Sequence, residues 1–325
     1  MLVVVAPTPG GPEALRLVQR PDPVAGLGEL LVRVAATAVN RADLLQREGR
    51  YAPPPGTTDV LGLECSGVVT ALGHSVEGWA VGDEVCAVLP GGGYAELAVV
   101  PAAVAMPLPP GLGPVAAGAV PEVFATAFDN LLVRGRLAAG ETALVHGGTS
   151  GVGTAAIQLA RRAGARVITT GGSPGKVAAA LALGADAGID YRAQDLVEEV
   201  RALTGGRGAD VVLDVVGASY LAAHVALLAV EGRLVVIGLQ GGARAELDLG
   251  AVLSRRLTVC GSTLRARTVQ ERIPLMARLV AEVWPGFADG SLRPVVDRVL
   301  PLAQVAEAHR IVESGEHVGK VVLIP

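Results

Sequence analysis

Residues Ala143 to Ala163, ALVHGGTSGVGTAAIQLARRA, restrict what this chain can fold into more than any other stretch. Ala143–His146 is a short apolar run after the turn Ala-Gly-Glu, as expected of a parallel strand covered on both faces. Gly147, Gly148, Gly151 and Gly153 then bare the backbone where it must turn sharply or admit a close neighbour. From Gly153 onward Ala155, Ala156, Leu159, Ala160 and Ala163 recur at helical spacing with no internal proline. A helix that opens on bare glycines offers free amides and the positive end of its dipole, a combination that fits a pyrophosphate. One register, Gly148-x-Ser150-x-x-Gly153, puts serine in place of the middle glycine of the dinucleotide fingerprint. Another, Gly151-x-Gly153-x-x-Ala156, fits G-x-G-x-x-A but starts later in the turn. In a chain with 43 glycines either pattern alone also reads as a tight βα turn. The strand before and the helix after favour nucleotide binding.

The rest of the chain divides by rhythm. Residues 1–123 carry short β-rich segments (Leu2–Val5, Glu29–Ala38, Gly67–Leu72, Glu84–Val88, Ala95–Val99) separated by turns such as Pro90-Gly91-Gly92-Gly93. Over 124–264 the pattern becomes strand, helix, strand, helix. Six candidate strands (Ala143–His146, Arg166–Thr170, Ala187–Ile189, Val211–Val215, Leu234–Ile237, Leu257–Cys260) alternate with helices at Thr154–Ala163, Lys176–Leu183, Asp195–Leu203, Tyr220–Ala229 and Leu249–Arg255. That alternation predicts an α/β fold, a doubly wound six-stranded parallel Rossmann sheet with its ligand at the carboxyl ends of the strands. Residues 265–325 cannot extend this sheet tidily. They are assigned back to the mostly antiparallel β domain, so the Rossmann domain is an insertion and the cleft between lobes is the expected active site.

Composition narrows the class. Hydrophobic residues make up 51% and charged residues 18%, so the chain can bury a large core and is not disordered. Aromatics are only 3%, which suits helix-on-sheet packing by Ala, Val and Leu. A net charge of −4 without Lys/Arg runs argues against a nucleic-acid partner. Cys65, Cys86 and Cys260 are scattered, which suits a reducing, cytoplasmic setting and excludes an all-cysteine zinc site. The apolar stretch Ala102–Leu132 is cut by Pro107, Pro109, Pro110, Pro114 and Pro121, so no membrane span is expected there.

Motifs spread over the whole length carry a resemblance. They include Val39-Asn40-Arg41-Ala42-Asp43-Leu44 with Gln46, Tyr51-Ala52-Pro53-Pro54-Pro55-Gly56, Leu61-Gly62-Leu63-Glu64-Cys65-Ser66-Gly67 and Val81-Gly82-Asp83. Pro121-Glu122, Thr126-Ala127-Phe128, Ser150–Ala156, Tyr191-Arg192, Asp214–Gly217, Gly238–Gly242 and Gly319–Leu323 continue it. In this order they resemble the medium-chain dehydrogenase/reductase superfamily, a GroES-like domain with an inserted Rossmann domain. Within it they are similar to the zinc-free quinone oxidoreductases, most of all the p53-inducible subgroup. Zinc-dependent relatives place a cysteine ligand near the position of Asn40 and a histidine at that of Leu63. Only Glu64 and Cys65 remain here as donors, short of the three that a catalytic zinc needs, so no metal is expected. Hydride transfer without a Lewis acid favours acceptors already activated by conjugation.

The cofactor is read from the end of the second Rossmann strand, Val167-Ile168-Thr169-Thr170-Gly171-Gly172-Ser173-Pro174-Gly175-Lys176. It holds no acid for a ribose 2′-hydroxyl, whereas Ser173 and Lys176 can donate to a 2′-phosphate. By resemblance Tyr191 and Arg192 meet the same phosphate, and the expected cofactor is NADPH. Lys176 also reads as a solvated first-turn lysine and Tyr191 as a strand-end anchor. Ser150, Gly151, Val152 and Gly153 are expected at the diphosphate, with the Ser150 hydroxyl as a ligand. The bare Gly238-Leu239 loop, with Leu264 and Arg265 by resemblance, is expected beside the nicotinamide.

On the acceptor side the resemblance names Asn40, Gln46, Tyr51 and Thr126. Asparagine and tyrosine can hydrogen-bond a quinone oxygen and polarise it; Asn40 also reads as the cap of an Arg41–Arg47 helix, and Thr126 as an ordinary helix residue. Glu64 and Asp43 read as structural, and Asp214 equally as a loop-closing residue. The expected function is zinc-independent NADPH:quinone oxidoreduction, by hydride or one-electron transfer to a small-molecule quinone or conjugated carbonyl. An NADPH-dependent alkenal or enone double-bond reductase and a non-enzymatic NADPH-binding protein are the alternatives. Leu257–Cys260 as an exposed sheet edge needs cover, which a homodimer through the Rossmann sheet edge would supply.

Overall fold

The computed structural model describes all 325 residues, Met1–Pro325. The chain forms two compact units, Met1–Ala125 with Leu264–Pro325, and Thr126–Thr263.

The first unit opens on β1 Leu2–Val5, which pairs antiparallel with β2 Arg16–Gln19. There follow β3 Glu29–Ala38, helix α1 Arg41–Arg47, β4 Glu64–Leu72, β5 Glu84–Val88, β6 Leu97–Pro101 and β7 Met106–Pro107. Strand β3 is the hub, pairing antiparallel with β4 and β6. Its alternate residues Leu30, Val32 and Val34 are buried against Cys65, Val69, Val85 and Ala87, the two-residue period of a half-buried strand. The short helices α2 Pro114–Ala117 and α3 Pro121–Ala127 each begin at proline, whose preset φ suits a first helical turn.

The second unit is a six-stranded sheet of β8 Thr142–Val145, β9 Arg166–Gly171, β10 Ala187–Asp190, β11 Ala209–Asp214, β12 Leu228–Val236 and β13 Thr258–Gly261. Every pairing is parallel, in the order β10-β9-β8-β11-β12-β13, with the switch point between β8 and β11. All residues of β8 and β11 are buried, because helices cover both faces. The crossovers are α4 Gly151–Arg162, α5 Pro174–Ala182, α6 Leu196–Leu203, α7 Leu221–Leu227 and α8 Leu249–Arg255. Residues Gly153 to Ala160 of α4 are all buried, so this helix is enclosed rather than amphipathic. The helix expected over Tyr220–Ala229 ends at Leu227 instead. Leu228 already pairs with Ala209, and β12 bulges at Glu231, whose φ is +63°, before regular pairing resumes at Arg233. A continuous apolar run such as Leu227–Val230 fits either element by periodicity, and pairing with β11 decides it.

The chain then returns to the first unit through α9 Val269–Ala288, β14 Val296–Pro301, α10 Val305–Ser314 and β15 Lys320–Ile324. Strand β15 pairs antiparallel with β3 and parallel with β14. The last strand is thereby brought beside the segment that leads into α1. No helix is long and apolar enough to cross a membrane.

Candidate functional site

In the first unit, Asn40 is the N-cap of α1, extended at φ −116°. The capping is done by Asp43, whose carboxylate accepts the Asn40 amide at 2.8 Å. The Asn40 side chain is used elsewhere. Its Nδ2 donates to Glu64 Oε1 at 2.9 Å and to the Ala38 carbonyl at 3.2 Å, and its Oδ1 accepts from Lys320 Nζ at 2.5 Å. Lys320 is 3% exposed; its three N–H donors go to Asn40, to Glu64 Oε1 at 2.9 Å and to the Val39 carbonyl at 3.0 Å. Glu64, fully buried, takes a further bond on Oε2 from the Glu122 amide at the start of α3. A buried ion pair is tolerable only when its remaining donors and acceptors are satisfied, and here they are.

Asn40 stands at the cap position in a capping box with Asp43, and its two amide hydrogens are given to Glu64 and the Ala38 carbonyl. The same network answers the zinc question. The positions of the zinc ligands hold an amide and Leu63, and a lysine ammonium joins the amide to Glu64. The chain nowhere brings together three His, Cys, Asp or Glu side chains able to hold a metal. This donor set does not fit a catalytic zinc.

Gln46 and Tyr51 come together, and Arg265 joins them. Gln46 Oε1 accepts from Arg265 Nη2 at 2.6 Å, while the guanidinium lies 5.1 Å from the centre of the Tyr51 ring. Arg265 also donates through Nε to the Pro90 carbonyl at 2.7 Å and is 6% exposed. Its guanidinium makes these contacts to groups of its own unit. Leu264, half-buried, precedes it in the same bend. Burial raises the Tyr51 phenol above its ordinary value, with Arg265 opposing the shift, so it remains a protonated donor at neutral pH. Asp43 is fully buried and burial pushes its carboxyl up to about 6. It accepts the Tyr94 hydroxyl at 3.2 Å, and Tyr94 in turn meets His309 Nε2 at 3.3 Å.

In the second unit, the glycine turn has little room for side chains. A Cβ on Gly153 would lie 2.2 Å from the Gly147 carbonyl oxygen, and one on Gly148 2.0 Å from Thr169 Oγ1. Ser150 is the N-cap of α4. Its Oγ accepts from the Gly153 amide at 3.0 Å and donates to the Gly147 carbonyl at 2.7 Å. The Ser150 hydroxyl thus closes the turn, its one hydrogen given to the Gly147 carbonyl. The cap leaves the Gly151 and Val152 amides as the unpaired donors of the first turn, at the positive end of the helix dipole.

Beneath this turn lies a pair that the sequence did not signal. His146 Nε2 is 2.8 Å from His224 Nε2, and His146 Nδ1 is 3.1 Å from Thr170 Oγ1, which also accepts the Gly147 amide. Burial holds both imidazoles below their ordinary pKa, so both are neutral. With the Thr170 hydroxyl donating to His146 Nδ1, the proton of His146 lies on Nε2 and that of His224 on Nδ1. That tautomer aims the His224 N–H at Asp214 Oδ2, 3.7 Å away.

At the ends of β9 and β10 the structure gathers the residues expected around a 2′-phosphate. Ser173 caps α5, accepting the Lys176 amide at 3.4 Å, and Lys176 sits in the first turn. A Cβ on Gly172 would meet Tyr191 Oη at 2.6 Å and Arg192 Nε at 3.4 Å. Residues 171–176 hold no acid. Gly238 packs so closely on Val215 that a Cβ would lie 2.8 Å from the Val215 carbonyl oxygen, and Leu239 beside it is 56% exposed. Asp214 accepts the amides of Val216 and Gly217, which makes it a loop-closing residue. Thr126 lies where α3 passes into a π-helix, Phe128–Arg134; its carbonyl accepts Asn130 Nδ2 at 2.8 Å. That wider turn, a geometry frequent at functional sites, left no mark in the sequence pattern.

A Rossmann sheet inserted into a GroES-like β unit, with an amide where zinc-dependent relatives place a ligand, defines a class of nucleotide-dependent oxidoreductase. Comparison with known proteins agrees. The Alcohol dehydrogenase GroES-like domain family matches residues 26–110, and the Zinc-binding dehydrogenase family matches residues 151–282. Quinone oxidoreductase of Rattus norvegicus is 30% identical over 320 residues, 97% of this chain and 95% of that protein. Phthioceranic/hydroxyphthioceranic acid synthase of Mycobacterium tuberculosis is 37% identical over 320 residues, but the chain spans only 15% of that relative's length. Among solved structures, Escherichia coli quinone oxidoreductase complexed with NADPH superposes with a TM-score of 0.90 at 30% identity over the whole of both chains. An NAD-dependent alcohol dehydrogenase gives 0.88 at 37% identity, again over both whole chains. JamJ enoyl reductase gives 0.90 at 26% identity, covering 99% of this chain and 98% of that one. The chain belongs to the medium-chain dehydrogenase/reductase superfamily, in its zinc-free quinone oxidoreductase branch.

Proposed function

We propose that this chain is an NADPH-dependent, zinc-independent reductase of quinones. The observation that carries this reading is the Asn40–Glu64–Lys320 network. It fills the position of a metal site with groups whose donors are all spent, and leaves activation of the acceptor to neutral side chains. Neutral donors polarise a carbonyl only modestly, so the acceptor has to be electrophilic already, as a quinone is. Bound NADPH would supply the hydride. Toward it, the Gly151 and Val152 amides would hold the diphosphate, and Ser173, Lys176, Tyr191 and Arg192 would receive the 2′-phosphate, with no acid in residues 171–176 to oppose it. The chain's remaining contribution is to hold and orient the acceptor oxygen.

A second reading, reduction of an enal or enone double bond, is supported by the likeness to JamJ enoyl reductase and by the match to a segment of a synthase. NADPH oxidation followed with an ortho-quinone, a para-quinone and a panel of 2-alkenals separates the two. Turnover confined to the alkenals overturns the quinone reading.

We also propose a homodimer through β13. This strand ends the sheet with three of its four residues exposed, and Leu249 and Leu253 of α8 are 70% and 81% exposed. An open edge beside exposed leucines calls for a partner. Light scattering at micromolar concentration checks it; a monomeric mass refutes it.

A further inference from the structure

We propose that Arg265 is a positioning residue for the carbonyl acceptor, acting through Gln46 and Tyr51; this rests on the reductase reading above. A guanidinium has only donors, so the group of Gln46 that meets Arg265 at 2.6 Å must be its carbonyl oxygen. The Gln46 amide is thereby turned with its NH2 away from Arg265, and that NH2 has no partner within the protein. Left without the arginine, a half-buried glutamine amide would be free to rotate by half a turn and present an acceptor instead. Arg265 holds Tyr51 as well, with its charge 5.1 Å from the ring centre and a long 3.5 Å contact to the Tyr51 backbone carbonyl. The Tyr51 hydroxyl likewise has no partner within the protein.

Two neutral donors held on one buried cation are what an oxygen gaining negative charge would use in this proposal. Asn40, the other amide of this region, has no hydrogen left to give. Three of the five N–H donors of Arg265 are taken, by Pro90, Gln46 and Tyr51, so its part in the proposal is to hold Gln46 and Tyr51. Its own anchoring is independent of Gln46, through the 2.7 Å bond from Nε to Pro90. A lysine at this position would keep the charge and lose the planar fork that reaches Pro90 and Gln46 together.

The test uses full-length protein with Arg265→Met, Arg265→Lys, Gln46→Met, Gln46→Glu and the Arg265→Met/Gln46→Met double variant. Three readouts are taken: the KM for 1,4-naphthoquinone under saturating NADPH, calorimetric binding of 1,4-naphthoquinone without nucleotide, and the NADPH Kd by fluorescence. Loss of one oriented donor is expected to raise the quinone KM and Kd about tenfold in Gln46→Met, and loss of both orientations raises them at least as much in Arg265→Met. The NADPH Kd stays within twofold, and the double variant is no worse than Arg265→Met alone. Gln46→Glu keeps the contact to Arg265 and removes the donor, so it folds as well as the parent yet shows the same tenfold loss. A purely structural arginine predicts the opposite, an unaltered quinone KM in Arg265→Met beside the tenfold loss in Gln46→Met. That result overturns the proposal, as does an additive double variant or a tenfold rise in NADPH Kd with quinone binding unchanged. If Arg265→Met does not fold, Arg265→Lys and Gln46→Glu carry the test. If the parent protein neither binds nor reduces the quinone, the quinone reading has failed by itself. The same variants are then measured with trans-2-hexenal, where an unchanged KM overturns the role of Arg265.

Discussion

Replacing Lys320 by methionine removes one charge from the Asn40–Glu64–Lys320 network and leaves the other in place. Glu64 is fully buried and would keep only the Asn40 Nδ2 and Glu122 amide bonds, while Asn40 Oδ1 and the Val39 carbonyl would lose their donor. At 2.9 Å the ion pair is worth roughly 6 kcal/mol of Coulomb energy with an effective dielectric near 20. Most of that offsets desolvation in the intact protein, so the observable is the cost of stranding one partner, about 3–5 kcal/mol. For a unit of this size that is a fall in melting temperature of roughly 6–20 °C. The assay is urea unfolding of Lys320→Met, Glu64→Gln and the double variant, followed by near- and far-UV circular dichroism. Glu64→Gln should cost less than Lys320→Met, because the ammonium keeps oxygen acceptors. The double variant should recover at least about 2 kcal/mol relative to the sum, since no unpaired charge remains. A loss below about 1 kcal/mol in Lys320→Met, or strict additivity, would refute the reasoning.

Three further outcomes are expected. Burial lowers the pKa of His146 and His224, so the folded state disfavours their protonation. The stability they confer is full above the unfolded value near 6.5 and is lost as pH falls below it, at about 1.4 kcal/mol per pH unit for each histidine. His224→Asn should flatten the fall in urea stability between pH 6.5 and 5, and an unchanged slope counts against a buried neutral pair. Gly153→Ala drives a Cβ to 2.2 Å from the Gly147 carbonyl and should cost about 1–3 kcal/mol. It should also abolish NADPH binding in a fluorescence titration; retained affinity would show that the turn does not shape the site. Lys176→Ala should raise the KM for NADPH and leave that for NADH little altered, and equal effects on both would remove Lys176 from 2′-phosphate recognition.

The architecture was legible because its signals are local. The run Ala143–Val145, the glycines after it and the buried stripe from Gly153 to Ala160 each report on neighbours within a few residues. The alternation of strands with helices extends that signal to a parallel sheet. The missing acid in residues 171–176 is equally local, and its position at the end of β9 followed from the same pattern. Where one local pattern fits two structures, at Leu227–Val230, the reading failed, and only pairing with β11 resolved it.

The site's wiring was not legible, for a reason of distance along the chain. Lys320 meets Asn40 across 280 residues, Arg265 meets Gln46 across 219 and His146 meets His224 across 78. Such pairs leave no periodicity, and hydrogen-bonding capacity in a sequence says nothing about what consumes it. Asn40, Ser150 and Arg265 stand at positions that motifs marked, yet tertiary contacts decide which of their donors remain free. The sequence by itself determined a Rossmann sheet set into a β unit, with a nucleotide turn at residues 147–153. Only the tertiary structure decided that Lys320 holds Asn40, that Ser150 is spent on its own turn, and that Gln46 and Tyr51 keep their donors open.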